Sequence, residues 1–361
     1  MKSVIGKNIT LALYGESHGA AIGIVMDGLP AGIKIDTDFI QSQLDKRKPK
    51  GKISTQRREA DDFVITSGVF NGFSTGTPIH IMIENKTQKS SDYQPNLPRP
   101  GHADYAAHIK YNGFEDWRGG GHFSGRLTAP VVAAGAIALN ILKNKGITVG
   151  THIKKCQHLT DRDFENYAED IALCNSKYFA TLDETAGQNM QQHIENIGAD
   201  CDSVGGVLET CVLGMPAGVG EPYFNSVESV LSHYLFSIGG VKGVEFGKGF
   251  EFADCLGSQA NDPFEMQNGK VVTKTNNNGG INGGISNGMP LIFRVAVKPT
   301  PSVFKEQDTI DLTSMQNAKL SLKGRHDPAI FHRARVVADS MTALALLDLL
   351  VQRYGERWLL E

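Results

Sequence analysis

One stretch of this chain is written twice, and that constrains its fold more than any other feature. Asp27-Gly28-Leu29-Pro30-Ala31-Gly32-Ile33 recurs as Leu213-Gly214-Met215-Pro216-Ala217-Gly218-Val219. Each copy follows a β-like run, Ile22 to Met26 and Val207 to Val212, and precedes a short helical pattern, Thr37 to Lys48 and Asn225 to Ser237. Further along, Gly76-Thr77-Pro78 and Gly288-Met289-Pro290 each open an apolar strand pattern. Proline is tolerated at a strand start. Two long Ala-rich helical patterns complete the set: Thr128 to Lys145, stopped by Gly146, and Ala329 to Tyr354, stopped by Gly355. Within them Val131-Val132-Ala133-Ala134 matches Val336-Val337-Ala338-Asp339. All three pairs fall in the same order, which favours a duplicated unit, about 20–146 and 203–355, inside one domain spanning 1–361.

The long helices are apolar over most of their circumference. Leu344, Leu346, Leu347, Leu349 and Leu350 cannot share one narrow stripe, and a helix apolar nearly all round is buried. The expected fold class is α+β: a β-α-β sandwich with two long buried helices between antiparallel sheets and a pseudo-twofold internal repeat. Segments 86–125 and 300–325 interrupt the repeats. They are long, rich in Gly and Pro and hold motif residues, so they read as functional loops.

Composition excludes several classes. A net charge of −3 gives no global field toward nucleic acid or membrane. The N-terminus, MKSVIGKNIT, has no apolar signal region, and the apolar uncharged run Leu127 to Leu142 is shorter than the roughly 20 residues of a spanning helix. The five cysteines form no CxxC pair and fit reduced thiols better than a disulfide framework. A soluble, cytoplasmic protein is expected. Eleven histidines show no HxH or HExxH spacing, so no metal site is expected.

Four motifs set titratable residues among turn-forming ones. Gly15-Glu16-Ser17-His18-Gly19 offers a hydroxyl and an imidazole in a glycine turn. No nucleophile elbow is present, so this is not a Ser-His-Asp hydrolase. Arg99-Pro100-Gly101-His102-Ala103-Asp104 presents Arg, His and Asp together; its bland reading is a surface salt bridge. Gly119-Gly120-Gly121-His122-Phe123-Ser124-Gly125-Arg126 leads into the first long helix, whose free amides suit an anion. Neither a Walker A lysine nor a dinucleotide fingerprint follows. Gly324-Arg325-His326-Asp327-Pro328 leads into the second long helix, where Asp327 has the bland reading of an N-cap. Asp339, inside that apolar helix, needs a buried partner. Lys46, Arg47, Lys48, Lys50, Lys52, Arg57 and Arg58 form a basic run that reads either as a solvated face or as a mobile loop closing over an anion. Lys298-Pro299-Thr300-Pro301-Ser302 ends a strand with a cation and hydroxyls, again suited to phosphate.

These segments resemble the signature segments of the chorismate synthases, as do Thr55 to Glu59, Val241 to Glu245 and Gly279 to Gly284, from about Gly6 to the last helix. The resemblance implies loss of phosphate and a ring proton from 5-enolpyruvylshikimate 3-phosphate by anti-1,4-elimination. It implies reduced FMN as cofactor, with NADPH as a possible reductant. By motif position His18 would act near the leaving phosphate, His102 would protonate the reduced flavin and Asp327 would handle the flavin N5 proton. Ser17 and Ser124 would support flavin and substrate. The flavin shell would comprise His122, Phe123, Ser124, Gly239, Gly240, Gly283, Lys298, Pro299, Thr300, Pro301, Ser302 and Arg325. Arg47, Lys48, Lys52 and Arg57 would meet NADPH or the substrate's negative charge. The family's fold is a β-α-β sandwich assembled as a homotetramer. Where many members carry Arg-Ser-Ser-Ala-Arg, this chain has His122-Phe123-Ser124-Gly125-Arg126, and Gly239-Gly240 stands where Asn-Ala is common. The competing classes are a flavin reductase and a non-catalytic module for phosphorylated metabolites; two titratable imidazoles speak against the latter.

Overall fold

Alternation decides the strands. Ile22, Ile24 and Met26 are buried while Ala21, Val25 and Asp27 on the same strand are less covered, and Ile79, Ile81 and Ile83 repeat the pattern. Leu291, Phe293, Val295 and Val297 do so again, with Ile292, Arg294 and Ala296 only partly covered. A period of two puts one face of each strand into the core. The structure is a computed structural model that describes residues 3–55, 60–86, 94–322 and 327–361.

The first half contains β1 (Val4–Ile5), β2 (Thr10–Gly15), β3 (Ala21–Asp27), α1 (Thr37–Arg47), β4 (Phe63–Ser67), β5 (Val69–Phe70), β6 (Phe73–Ser74), β7 (Ile79–Glu84), α2 (Asp104–Lys110) and α3 (Thr128–Asn144). It continues through β8 (Thr148–Cys156), β9 (Leu159–Thr160), α4 (Tyr167–Ser176) and α5 (Glu184–Ala199). The second half contains β10 (Gly206–Leu213), α6 (Val227–Phe236), β11 (Val241–Phe246), α7 (Gly257–Ala260), β12 (Phe264–Gln267), β13 (Lys270–Thr273), β14 (Ile281–Asn282) and β15 (Ile285–Ser286). It ends with β16 (Leu291–Val297), β17 (Gln307–Asp311), β18 (Gln316–Leu320) and α8 (Phe331–Tyr354).

Two antiparallel five-stranded sheets run in the orders β1-β2-β3-β7-β4 and β11-β16-β10-β8-β9. Helix α3 packs on β3 and β7, α8 packs on β8 and β10, and the two helices pack on each other. They meet where a Cβ on Gly135 would lie 2.2 Å from the Ser340 Cβ, so only glycine allows this approach. The twice-written turns form the same hydrogen bonds. Gly32 N donates to Ser74 O and Gly218 N to Ser286 O, both at 2.8 Å. The hydroxyls of Ser74 and Ser286 donate to Pro30 O and Pro216 O, both at 2.6 Å.

Four expectations change. Segment 86–125 contains α2, and 300–325 contains the β17–β18 hairpin, so neither is bare loop. Helix α8 begins at Phe331, with Ile330 at its cap position and no side-chain cap. Asp327 is therefore not the N-cap; it precedes Pro328, which disfavours helical backbone at the residue before it. Lys46 and Arg47 belong to the last turn of α1 rather than to a mobile loop. That helix packs on α3 and α8, so this end of the run turns inward. Finally, Gly125–Asn144 is 20 residues long with mean hydropathy 1.5, long and apolar enough to cross a membrane, but 78% of it is buried inside the protein.

Candidate active site

The glycine-rich segment before α3 is a wedge between two histidines. Gly119, Gly120 and Gly121 have φ of +62°, +82° and +53°, which side chains rarely adopt. A Cβ on Gly119 would lie 2.5 Å from both Cδ2 and Nε2 of His18 and 2.9 Å from Ser17 Oγ. A Cβ on Gly120 would lie 3.0 Å from His102 Cε1 and 3.2 Å from its Nε2. Consecutive glycines thus touch the two imidazoles with bare backbone. Ser17 and His18 sit in the β2–β3 turn, where Gly15 has φ +97° and a Cβ would strike Ala21 O at 2.4 Å. Both are buried. Ser17 N donates to Gly121 O at 3.1 Å, and Asn85 Nδ2 donates to Glu16 O at 3.0 Å and Gly19 O at 2.9 Å.

His102 is held by its own motif. Arg99 grips Asp104 through Nε at 2.7 Å and Nη2 at 2.8 Å, and Asp104 Oδ1 lies 2.5 Å from His102 Nδ1. Burial pushes the Asp104 carboxyl up, but hydrogen bonds and charge from Arg99 and His102 outweigh it and hold the group far below the usual carboxylate range. The Asp104 carboxylate thus orients the imidazole through Nδ1, with Nε2 beside Gly120. The salt-bridge reading is true of Arg99 and Asp104, yet it does not account for the aimed imidazole.

A second group of charges lies behind the β2–β3 turn. Asp61 receives Arg47 Nη2 at 2.5 Å and also Arg126 Nη1. Burial raises Asp61, and the two guanidinium charges more than reverse it. Arg126 Nε donates to Asn85 Oδ1 at 3.0 Å, so Asn85 links this ion group to the His18 turn. Asp327 pairs with Arg333. Burial nevertheless raises the Asp327 carboxyl against the pull of Arg333. Deeper in, Asp339 accepts from Thr151 Oγ1 at 2.6 Å and from Arg335 Nη1 at 3.3 Å, the partners its burial required. Burial lowers Lys46 to about 8 beside them. Ser17 Oγ, Arg47 Nε, Thr300 Oγ1, Asp327 Oδ1 and Arg333 Nε are buried without a hydrogen-bond partner among the described residues.

The other sequence candidates are divided. Lys298 Nζ donates to Gly101 O and Lys298 N to Gly240 O at 2.9 Å, so Lys298 and Gly240 join the His102 loop. A Cβ on Gly101 would lie 3.5 Å from Pro301 Cβ, which brings Pro299, Thr300, Pro301 and Ser302 alongside. Gly239 has open space around it. His122 is tied to Gly15 O at 2.8 Å and Ser3 Oγ at 3.1 Å, and Phe123 stands edge-on to Tyr111. Ser124 Oγ accepts from Arg126 N at 3.3 Å, a local cap. Lys48 pairs with Asp45 at 2.6 Å, and Lys52 is exposed. Gly283 lies between β14 and β15, and its neighbour Gly284 packs against Ser226 and Glu221 rather than against either histidine. Arg57 and Arg325 lie outside the described residues. Sequence reasoning placed Arg99, Asp104 and Arg126 in motifs without assigning them a site role, and it passed over Asn85, Asp61 and Arg333. Asp104 stands two residues from His102 and was legible; Asp61 and Asn85 carry no motif.

The comparisons agree. The sequence profile of the family described as chorismate synthase matches residues 9–351. A chorismate synthase of Thermococcus gammatolerans is 46% identical over 350 residues, covering 96% of this chain and 97% of that one. One of Lachnoclostridium phytofermentans is 47% identical over 353 residues, covering 97% and 95%. A crystal structure of chorismate synthase superposes with a TM-score of 0.77 at 27% identity, covering 97% of this chain and 94% of that one. Two histidines against one glycine wedge, beside a group of buried cations, suit proton transfer on a phosphorylated substrate. With these matches, the chain belongs to the chorismate synthase family and catalyses its reaction, the conversion of 5-enolpyruvylshikimate 3-phosphate to chorismate and phosphate.

Proposed function

We propose that His18 and His102 divide the proton work of this elimination. The supporting observation is their placement against Gly119 and Gly120, with His102 tied to Asp104. His18 stands by the leaving phosphate and supplies it with a proton. His102 offers a proton from Nε2 to the reduced flavin while Asp104 orients the ring through Nδ1. Asp327 receives a proton at Oδ1, the oxygen without a partner among the described residues, and burial gives its carboxyl the raised affinity that role needs. Ser17 and Ser124 support flavin and substrate.

The residues fit reduced FMN. Buried donors on Ser17, Thr300 and Arg333 have no acceptor among the described residues, and such atoms call for a partner, which a phosphate-bearing ligand provides. Bound reduced FMN supplies an electron-rich ring system that lends charge as phosphate departs. Lys298 to Ser302, Gly239-Gly240, His122 to Ser124 and Arg325 would hold it; Gly283 is the weakest member of that set. Arg47 is committed to Asp61, so Lys48, Lys52 and Arg57 are the better candidates for meeting NADPH or the substrate's outer negative groups.

The chain is further read as one domain built from two pseudo-twofold related units in a β-α-β sandwich, assembled as a cytoplasmic homotetramer. Supporting the twofold, the Val131/Val336 register makes Gly135 the counterpart of Ser340, and these two residues touch. The test of the roles is phosphate release with dithionite-reduced FMN under anaerobic conditions. His18→Ala and His102→Ala should each lower turnover by roughly 10²–10⁴-fold. Near-normal turnover in either would remove that residue from the proton path.

A further inference from the structure

Residues 16–19 form a single turn, and Ser17 and His18 are its two inner positions. Gly19 N donates to Glu16 O at 3.0 Å, the bond that closes a four-residue turn. Closure fixes the shape of the turn but not its aim at the glycine segment before α3. One tether to that segment is backbone, Ser17 N to Gly121 O at 3.1 Å. The other is a side chain far along the sequence. Asn85 Nδ2 donates to the carbonyls at both ends of the turn, Glu16 O at 3.0 Å and Gly19 O at 2.9 Å.

Asn85 suits that work by chemistry and by place. A primary amide carries two N–H donors on one nitrogen and an acceptor oxygen beside it, a set that only Asn and Gln side chains offer. Here the nitrogen takes the two carbonyls, and Oδ1 accepts from Arg126 Nε at 3.0 Å. These partners define which way the amide points, because two carbonyls cannot face its oxygen. Asn85 directly follows β7, and its own N–H donates to Ala20 O at 3.1 Å, which continues the β3–β7 pairing beyond Ala21 and Glu84. Its backbone is therefore fixed by the sheet. Arg126 is fixed as well: it is buried, pairs with Asp61 and donates through Nη2 to Glu84 O at 3.3 Å. It sits in the tight turn Gly125–Leu127 that leads into α3, shortly after Gly119. One amide thus joins the first sheet, the Ser17–His18 turn and the segment that carries the glycine wedge.

We propose that Asn85 is a positioning residue for the elimination: its amide sets the aim of His18 at Gly119. The inference rests on the reading of His18 as the residue that supplies a proton to the leaving phosphate. Asn85 itself moves no proton, since an amide does not titrate near neutral pH. Its effect is geometric, and a misplacement of about 1 Å at a reacting group is worth about 100-fold in rate.

Asn85→Asp is the sharpest variant. It keeps the size of the side chain and an oxygen for Arg126, and it sets a second oxygen against Glu16 O and Gly19 O. Asn85→Ala removes the same bonds without adding charge, and it decides the matter if Asn85→Asp does not fold. Phosphate release with reduced FMN under anaerobic conditions is measured for both, for His18→Ala and for the double variants. Turnover should fall by roughly 100-fold in each Asn85 variant at near-normal melting temperature. In Asn85→Asp the KM for 5-enolpyruvylshikimate 3-phosphate should change by less than about threefold, the mark of a group that acts on the chemical step. In the His18→Ala background the Asn85 substitution should cost nothing further, because residues that act as a unit are not additive. If His18→Ala is slow, then a normal kcat in a folded Asn85 variant, a loss confined to KM, or losses that multiply in the double variant would each overturn this proposal and leave the role of His18 standing. Failure of both Asn85 variants to fold would make Asn85 a bond of the core instead. Near-normal turnover of His18→Ala would remove both readings together.

Discussion

Helices α3 and α8 occupy matching places in the core and carry different cargo. Every buried residue of α3 is apolar or glycine. On α8 the buried set includes His332, Arg335, Asp339 and Asp348 among the leucines. A charge in a core costs heavily unless paired, so each must have work or a partner. Arg335 and Asp339 have each other, Thr151 and Lys177 O. Asp348 accepts from the backbone of Lys7, Asn8 and Ile9 at 3.0, 2.7 and 3.0 Å. His332 Nε2 lies 2.9 Å from Ser54 Oγ. The lesson is that two equivalent helices have been put to separate uses: α3 packs, while α8 also anchors the N-terminal segment and, through Arg333, holds Asp327.

The largest effect should come from the anchor. Asp348→Ala leaves three backbone donors without their acceptor and should lower unfolding free energy by about 4 kcal/mol, counting 1–3 for each unmet group. Changing Lys143, its exposed counterpart on α3, to Ala should do almost nothing. Urea unfolding compares them, and equal losses would erase the asymmetry.

Next comes Asp327→Asn. The amide retains a polar group near Arg333 but takes no proton at neutral pH. Turnover should fall by roughly 100-fold or more, with FMN binding and melting temperature near normal. A normal rate would reduce the Asp327–Arg333 pair to a structural tie.

Third is the helix crossing. Gly135→Ala places a methyl against Ser340 and should cost about 2 kcal/mol by overpacking. Ser340→Gly in the same chain should recover most of it, because the two substitutions share one contact. A double variant no more stable than Gly135→Ala would show that the helices do not meet there as described.

The smallest effect concerns pH. Burial and the charges of Arg333 and Arg335 hold the His332 imidazole well below its ordinary value. Its neutral form therefore contributes stability that is fully present above the unfolded value near 6.5. That contribution is lost as pH falls toward the depressed folded value, because the unfolded chain takes up the proton first. Between pH 6.5 and 5 the protein should lose up to about 1.4 kcal/mol per pH unit more than His332→Gln. His152 works in the opposite sense. Burial lowers it, but Asp161 and Glu209 raise it further, and its contribution is lost only as pH rises through that raised value. Parallel pH profiles for the two proteins would remove His332 from the account.

Much of this was legible because it is local. The alternation in β3, β7 and β16, the matched turns at Pro30 and Pro216, and the glycine stops at Gly146 and Gly355 are patterns that short segments carry by themselves. So is the Arg99-His102-Asp104 motif, whose partners stand within six residues. Asp61 was not legible. It receives Arg47 from 14 residues away and Arg126 from 65 away, and no spacing announces either. Nor did the basic run show that Lys46 and Arg47 turn inward, since that depends on α1 lying against α3 and α8.

The sequence by itself determined the strands, the two apolar helices, the turns that only glycine permits and the family whose reaction the chain performs. Each of these follows from backbone preference, from periodic burial or from a motif read in order. Tertiary structure decided which charges became partners, which glycine met which histidine, and that Asp327 answers to Arg333 instead of capping a helix. The physical reason is range. Propensity and periodicity act over a few residues, whereas an ion pair or a van der Waals contact depends only on distance in space, which chain order does not encode until the core has closed.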